Sequence, residues 1–143
     1  QSDIQGKQLF EKVISGKYLA EYFNRKAEDL QIPHKPCRTS QDLSRLSQET
    51  KDEKANKLAR AILERSARLV ACAFAAMYHF LGEKPLTFIG EGSLLWKGWH
   101  YTTNLQEQLH TLSLPNDAIT INHIKNSSIK GAFGLLTNAR YNK

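Results

Sequence analysis

Apolar residues recur at helical spacing from the start of the chain. Phe10, Val13, Ile14, Tyr18, Tyr22 and Phe23 predict one long helix from Gly6 to about Asp29. Gly16 falls inside it, where a glycine costs about 1 kcal/mol relative to alanine, so close packing or approach of a ligand is expected there. Pro33 and Pro36 mark Gln31 to Thr39 as a loop, and Ser40 to Ser47 reads as a short helix. A second long helix is predicted from Lys51 to Leu81, charged in its first half and almost wholly apolar in its second. Within it Ala67, Ala71 and Ala75 form a small-residue stripe that lets a helix lie close to its neighbour.

Gly82 and Pro85 end that pattern. Leu86 to Ile89 reads as a short strand, Gly90-Glu91-Gly92 as a tight turn, and Ser93 to Lys97 as a second strand. Leu105, Leu109 and Leu112 place a helix over Thr103 to Leu112, stopped by Pro115 and Asn116. The Ile-Thr-Ile alternation makes Ala118 to His123 a strand, and Ser128 to Arg140 closes as a helix. Two long helices followed by strand, helix, strand and helix argue an α/β class. Three short strands cannot cover two long helices, so a partner sheet is expected beyond them.

Composition narrows the chemistry. The 143 residues are 41% hydrophobic and 24% charged, ordinary values for a globular chain long enough to bury a core. The net charge of +6 is spread along the chain without a basic run, which reads as a solvated face and not a nucleic-acid surface. A basic nucleic-acid module rests only on that charge and on Trp96, Trp99 and Tyr101, for which core packing is the commoner role. No apolar stretch of about 18 residues occurs, so no membrane span is expected. Cys37 and Cys72 make no CxxC pair; Cys72, in an alanine-rich run, is expected in the core, and the pattern fits a reducing, cytoplasmic setting. His34, His79, His100, His110 and His123 show no zinc-ligand spacing, and no serine stands in a GxSxG elbow, so neither metal hydrolysis nor acyl transfer has support.

The stretch Gly6-Lys7-Gln8-Leu9-Phe10-Glu11-Lys12-Val13-Ile14-Ser15-Gly16-Lys17-Tyr18-Leu19-Ala20-Glu21 resembles the hexokinase-family segment G-[KQ]-Q-x-[FY]-E-K-M-I-S-G-x-Y-L-G-E at nearly every position. Arg65-Ser66-Ala67-Arg68-Leu69 is similar to the R-A-A-R-L helix of these kinases, and Phe88 to Leu94 to their V-G-[VI]-D-G-S-[VL] turn. The resemblance spans essentially residues 1–143 as a single segment. It implies the C-terminal part of the large domain of the actin-like, ribonuclease-H-like ATPase fold, and an enzyme that transfers the γ-phosphoryl of Mg-ATP to the 6-hydroxyl of a hexose.

Carried over residue by residue, the resemblance gives hexose contacts to Gln8 and Glu11. One helical turn separates them, so both can face one cleft, where a carboxylate takes charge-assisted bonds from hydroxyls. It gives nucleotide contacts to Gly92 and Ser93, and through the F-x-T-x-x-[VL]-S pattern to Ser40 and Ser44, although helix capping explains Ser40 equally well. No catalytic residue and no metal ligand is expected in the segment. In the family the phosphate-binding strand turns, the catalytic aspartate and a further hexose-binding glutamate lie upstream, so the isolated chain is expected to be inactive and to need that N-terminal part as its partner. Gln1 in place of a methionine fits an excised or processed segment. Apolar surface left by absent core partners leaves room for a homo-oligomer.

The chain departs from the family at Asn126-Ser127-Ser128-Ile129-Lys130-Gly131, where the pattern is D-G-S-G-x-G, and at Glu91, where aspartate is usual. A β-branched Ile129 does not readily replace a glycine at positive φ. That departure favours an alternative reading, a hexokinase-like domain that binds sugar or protein without catalysis.

Overall fold

A computed structural model describes residues 8–49, 51–124 and 130. The apolar stripe expected from Gly6 to Asp29 forms two helices and not one: α1 (Leu9–Ile14) and α2 (Gly16–Asp29). Ser15 lies between them in extended backbone, φ −73° and ψ 132°, as the last cap of one and the first cap of the other. Its N–H donates to the Glu11 carbonyl at 2.8 Å and its own carbonyl accepts the Leu19 N–H at 3.0 Å, so the bend leaves the Ser15 amide and carbonyl both bonded. Burial explains the bend. Helix α2 puts Leu19, Ala20, Phe23 and Ala27 into the core, whereas α1 buries no residue.

Gly16 therefore opens α2 instead of interrupting a longer helix. A Cβ there would stand 2.8 Å from both Cβ and Oγ of Ser40, so the close packing expected at this glycine is met by α3 (Ser40–Leu46). Thr39 starts α3 with a capping box: its hydroxyl accepts the Asp42 N–H at 3.2 Å, and the Asp42 carboxylate accepts the Thr39 N–H at 3.1 Å. The loop before it is clamped by Asn24, whose side-chain amide exchanges two 2.8 Å bonds with the Cys37 backbone.

Helix α4 (Glu53–Phe80) runs close to its expected limits. Asp52 caps its start by accepting the Ala55 N–H at 3.1 Å. The bonds from Gly82 N–H to His79 and from Glu83 N–H to Tyr78 close its end as a Schellman motif. Ala67, Ala71 and Ala75 are buried, and α4 packs along α6 (Tyr101–Thr111), which starts two residues before the expected Thr103. The expected placement of Cys72 in the core is corrected: Cys72 is exposed and Cys37 is the buried thiol. The second half of α4 is apolar on all sides, so composition alone does not distinguish its faces.

Ser93 to Lys97 is a helix, α5, and not a strand. Leu94, Leu95 and Trp96 are half-buried in succession, a pattern that strand alternation does not produce. The Trp96 indole N–H donates to the Gly90 carbonyl at 2.9 Å, and the Thr102 hydroxyl donates to the Leu95 carbonyl. The sheet then has two described strands, β1 (Leu86–Ile89) and β2 (Ile119–Asn122), parallel and in register from Leu86 with Ile119 to Ile89 with Asn122. A parallel pair requires a crossover, which α5 and α6 provide. Leu86, Phe88, Ile119 and Ile121 make the packed face, where Phe88 stacks on Phe74 of α4 with ring centroids 3.9 Å apart. Thr87, Ile89, Thr120 and Asn122 face outward. The described order is thus four helices followed by strand, two helices and strand, a mixed fold compatible with a piece of an α/β protein. Of the helix expected over Ser128 to Arg140, Lys130 alone is among the described residues.

Candidate functional site

Three turns of the chain meet around a cavity of about 400 Å³. The α1–α2 bend brings Ile14, Ser15, Gly16 and Lys17; the start of α3 brings Ser40; the turn after β1 brings Glu91, Gly92 and Ser93. Val70 and Phe74 of α4, with Leu94, Leu95 and Tyr101, complete its apolar side.

Each wall owes its chemistry to local structure. The first amides of α2 have no acceptor within their own helix, and Ser15 gives them no side-chain cap. They form the positive end of a fourteen-residue helix, and the Lys17 ammonium lies over the Tyr18 ring at 5.6 Å. Gly92 has φ 103°, a conformation costly for any residue with a Cβ, and no atom lies within 4 Å of where that Cβ would stand. The open backbone there leaves space for a ligand to come close. Ser40 and Ser93 add hydroxyls that both donate and accept. The rim thus carries one cationic and one anionic side chain, Lys17 and Glu91, with the hydroxyls of Ser40 and Ser93, and the opposite side is apolar.

Of the residues expected to contact a nucleotide, Ser40, Gly92 and Ser93 line this cavity together. Ser44 does not line it. It is buried one turn further along α3, and its Oγ accepts the Trp99 N–H at 3.2 Å. The Arg60 guanidinium stacks over the Trp99 ring at 4.9 Å while Arg60 Nε donates to the Ser47 carbonyl at 2.8 Å, so Ser44 belongs to a strut tying α3 to α4 and to the turn after α5. Glu11 is exposed on α1, whereas Gln8 precedes the helix as its N-cap in left-handed backbone, φ 56°, so the two do not share one helix face as expected; neither lines the cavity, and α1 ends at Ile14, which does.

Ser15, Lys17 and Tyr101 are lining residues that had not been singled out as contacts. The first two sit inside the I-S-G-x-Y stretch, which was the available signal. Nothing in the sequence pairs Tyr101 with a residue so distant. Burial pushes the Tyr101 hydroxyl above its ordinary value of 10.0, and a hydrogen bond with Ser66 opposes that shift. Among the described residues no three His, Cys, Asp or Glu side chains group as metal ligands. No described helix is long and apolar enough to cross a membrane.

A family model described as hexokinase matches residues 24–136. The chain belongs to the hexokinase family. The match takes in Ser40, Ser44, Gly92 and Ser93, whereas Gln8 and Glu11 precede it. No curated protein matches the chain, and no solved structure does. Membership in the hexokinase family brings with it, in general, ATP-dependent phosphorylation of a sugar, and the cavity is where Ser40, Gly92 and Ser93 come together.

Proposed function

We propose that the chain is one wall of a hexokinase that transfers the γ-phosphoryl of Mg-ATP to the 6-hydroxyl of a hexose such as glucose. One observation carries this reading: Gly16 and Lys17, Ser40, and Gly92 with Ser93 line a single cavity although they lie far apart in the chain. In this reading the α2 amides and Lys17 hold phosphate oxygens, and Ser40 and Ser93 donate hydrogen bonds to the nucleotide. Gly92 lets the nucleotide lie against the backbone. Ser44 fixes α3, and so Ser40, through Trp99. Glu11 on α1 and Gln8 at its N-cap bind hexose hydroxyls.

Phosphoryl transfer depends on positioning and charge stabilisation from both sides of a closed cleft. One wall gives binding without turnover, so the 143-residue chain alone is expected to bind Mg-ATP and to form no ADP in the presence of glucose. The test is a calorimetric titration with Mg-ATP of the chain and of Gly92→Val. A valine at φ 103° is strained and fills the open space, and it should weaken binding at least about tenfold, the equivalent of about 1.4 kcal/mol. Equal affinity in the two proteins would remove the cavity from the nucleotide site.

A further inference from the structure

Beneath the cavity, the apolar core holds a pair of hydroxyls. Ser66 of α4 is fully buried, with its neighbours Ile62, Leu63 and Ala67 buried around it. Its Oγ lies 2.8 Å from the Tyr101 hydroxyl and 3.5 Å from the Ile14 carbonyl oxygen. The Ile14 carbonyl ends α1 and has no donor within that helix. A carbonyl only accepts, so Ser66 gives its single proton to Ile14, and Tyr101 donates to Ser66.

The relay joins three elements at functional places. Ile14 is the last residue of α1, which carries Glu11 and has Gln8 as its N-cap, and it stands next to the Ser15 bend. Tyr101 opens α6, and both Ile14 and Tyr101 line the cavity. Ser66 stands where the R-A-A-R-L pattern has alanine, so the hydroxyl is not needed to fill this place in the core. Without it, the Ile14 carbonyl and the Tyr101 hydroxyl would both lose their common partner.

We propose that the Ser66–Tyr101 relay is a positioning device that couples the hexose-side helix α1 to the nucleotide-side cavity. A ligand that shifts α1 moves Ile14, and the two hydroxyls carry that movement to Tyr101 at the cavity; the reverse follows by reciprocity of binding. The proposal rests on the assignment of hexose to α1 and nucleotide to the cavity.

Ser66→Ala and Tyr101→Phe each remove one hydroxyl and leave the apolar volume. Glucose affinity is measured with and without a saturating non-hydrolysable Mg-ATP analogue, and amide hydrogen exchange is followed in the same proteins. In the unaltered chain the analogue should change glucose affinity by about fivefold or more, the usual lower range of coupling. In either variant that ratio should fall to within about twofold of one, and exchange at Lys12 to Leu19 should quicken while Ala55 to Leu63 stays protected. A merely structural role would weaken both ligands and leave the ratio intact, and that result would overturn the proposal. Uncoupled binding in the unaltered chain would overturn it too, yet leave the nucleotide cavity standing. Binding of neither ligand would overturn the assignment of hexose and nucleotide, and the relay's role with it.

Discussion

Replacing Gly16 by alanine sets two effects of opposite sign against each other. Alanine is the better helix former, by up to about 1 kcal/mol in a helix interior and less at the first position. The added methyl group would lie 2.8 Å from two atoms of Ser40, one of them the Cβ fixed to the α3 backbone. Carbon atoms at contact prefer about 3.5–4.0 Å, so α2 and α3 must separate by several tenths of an ångström or more. Overpacking of this kind costs about 1–3 kcal/mol, which exceeds the propensity gain. The expected net effect of Gly16→Ala is a loss of about 1 kcal/mol in urea-unfolding free energy, with weaker Mg-ATP binding because both walls belong to the cavity. Ser40→Gly removes both clashing atoms, so the double variant should recover most of the loss, and the cycle should show a coupling of at least about 0.5 kcal/mol. Stabilisation by Gly16→Ala, or additive single and double variants, would refute the close approach of α2 to α3.

Other consequences follow from the same packing. Phe23→Ala empties a fully buried ring position and should cost about 3–5 kcal/mol in denaturant unfolding; a loss below about 1 kcal/mol would contradict its place in the core. Cys72 should react with iodoacetamide in the folded chain while Cys37 stays unmodified, because burial, aided by the charge of Asp42, pushes the Cys37 thiol up to about 11. Equal labelling rates for the two thiols would reverse that assignment. The Arg38 N–H and the Thr39 hydroxyl and N–H hold the Asp42 carboxyl below its ordinary value of 3.8. The folded state therefore binds that proton more weakly than the unfolded state, and the capping box adds stability above pH ~4 that is lost as pH falls through the lowered value. Circular dichroism of the chain and of Asp42→Asn should converge in acid and separate near neutrality.

The elements legible in the sequence were those whose signals are local. Helix α4 carries an acidic cap at Asp52, a buried alanine stripe and a glycine stop, and it lies within two residues of its expected limits. The bend at Ser15 was hidden because apolar spacing continues across it; what places it is the distant contact of Gly16 with Ser40. The run from Ser93 to Lys97 is too short for its period to separate strand from helix. The resemblance to the hexokinase family singled out Ser40, Gly92 and Ser93, which the fold gathers in one cavity. It gave no sign that Ser44 serves as a strut beneath Trp99, nor that Ser66 and Tyr101 pair in the core.

The central claim is that one wall carries both hexose and nucleotide contacts. Its most direct test is the heat of glucose binding to the chain saturated with a non-hydrolysable Mg-ATP analogue, measured beside Glu11→Ala. The account predicts saturable glucose binding that Glu11→Ala abolishes while analogue binding survives. Absence of glucose binding in the unaltered chain, or unchanged affinity in Glu11→Ala, would contradict it.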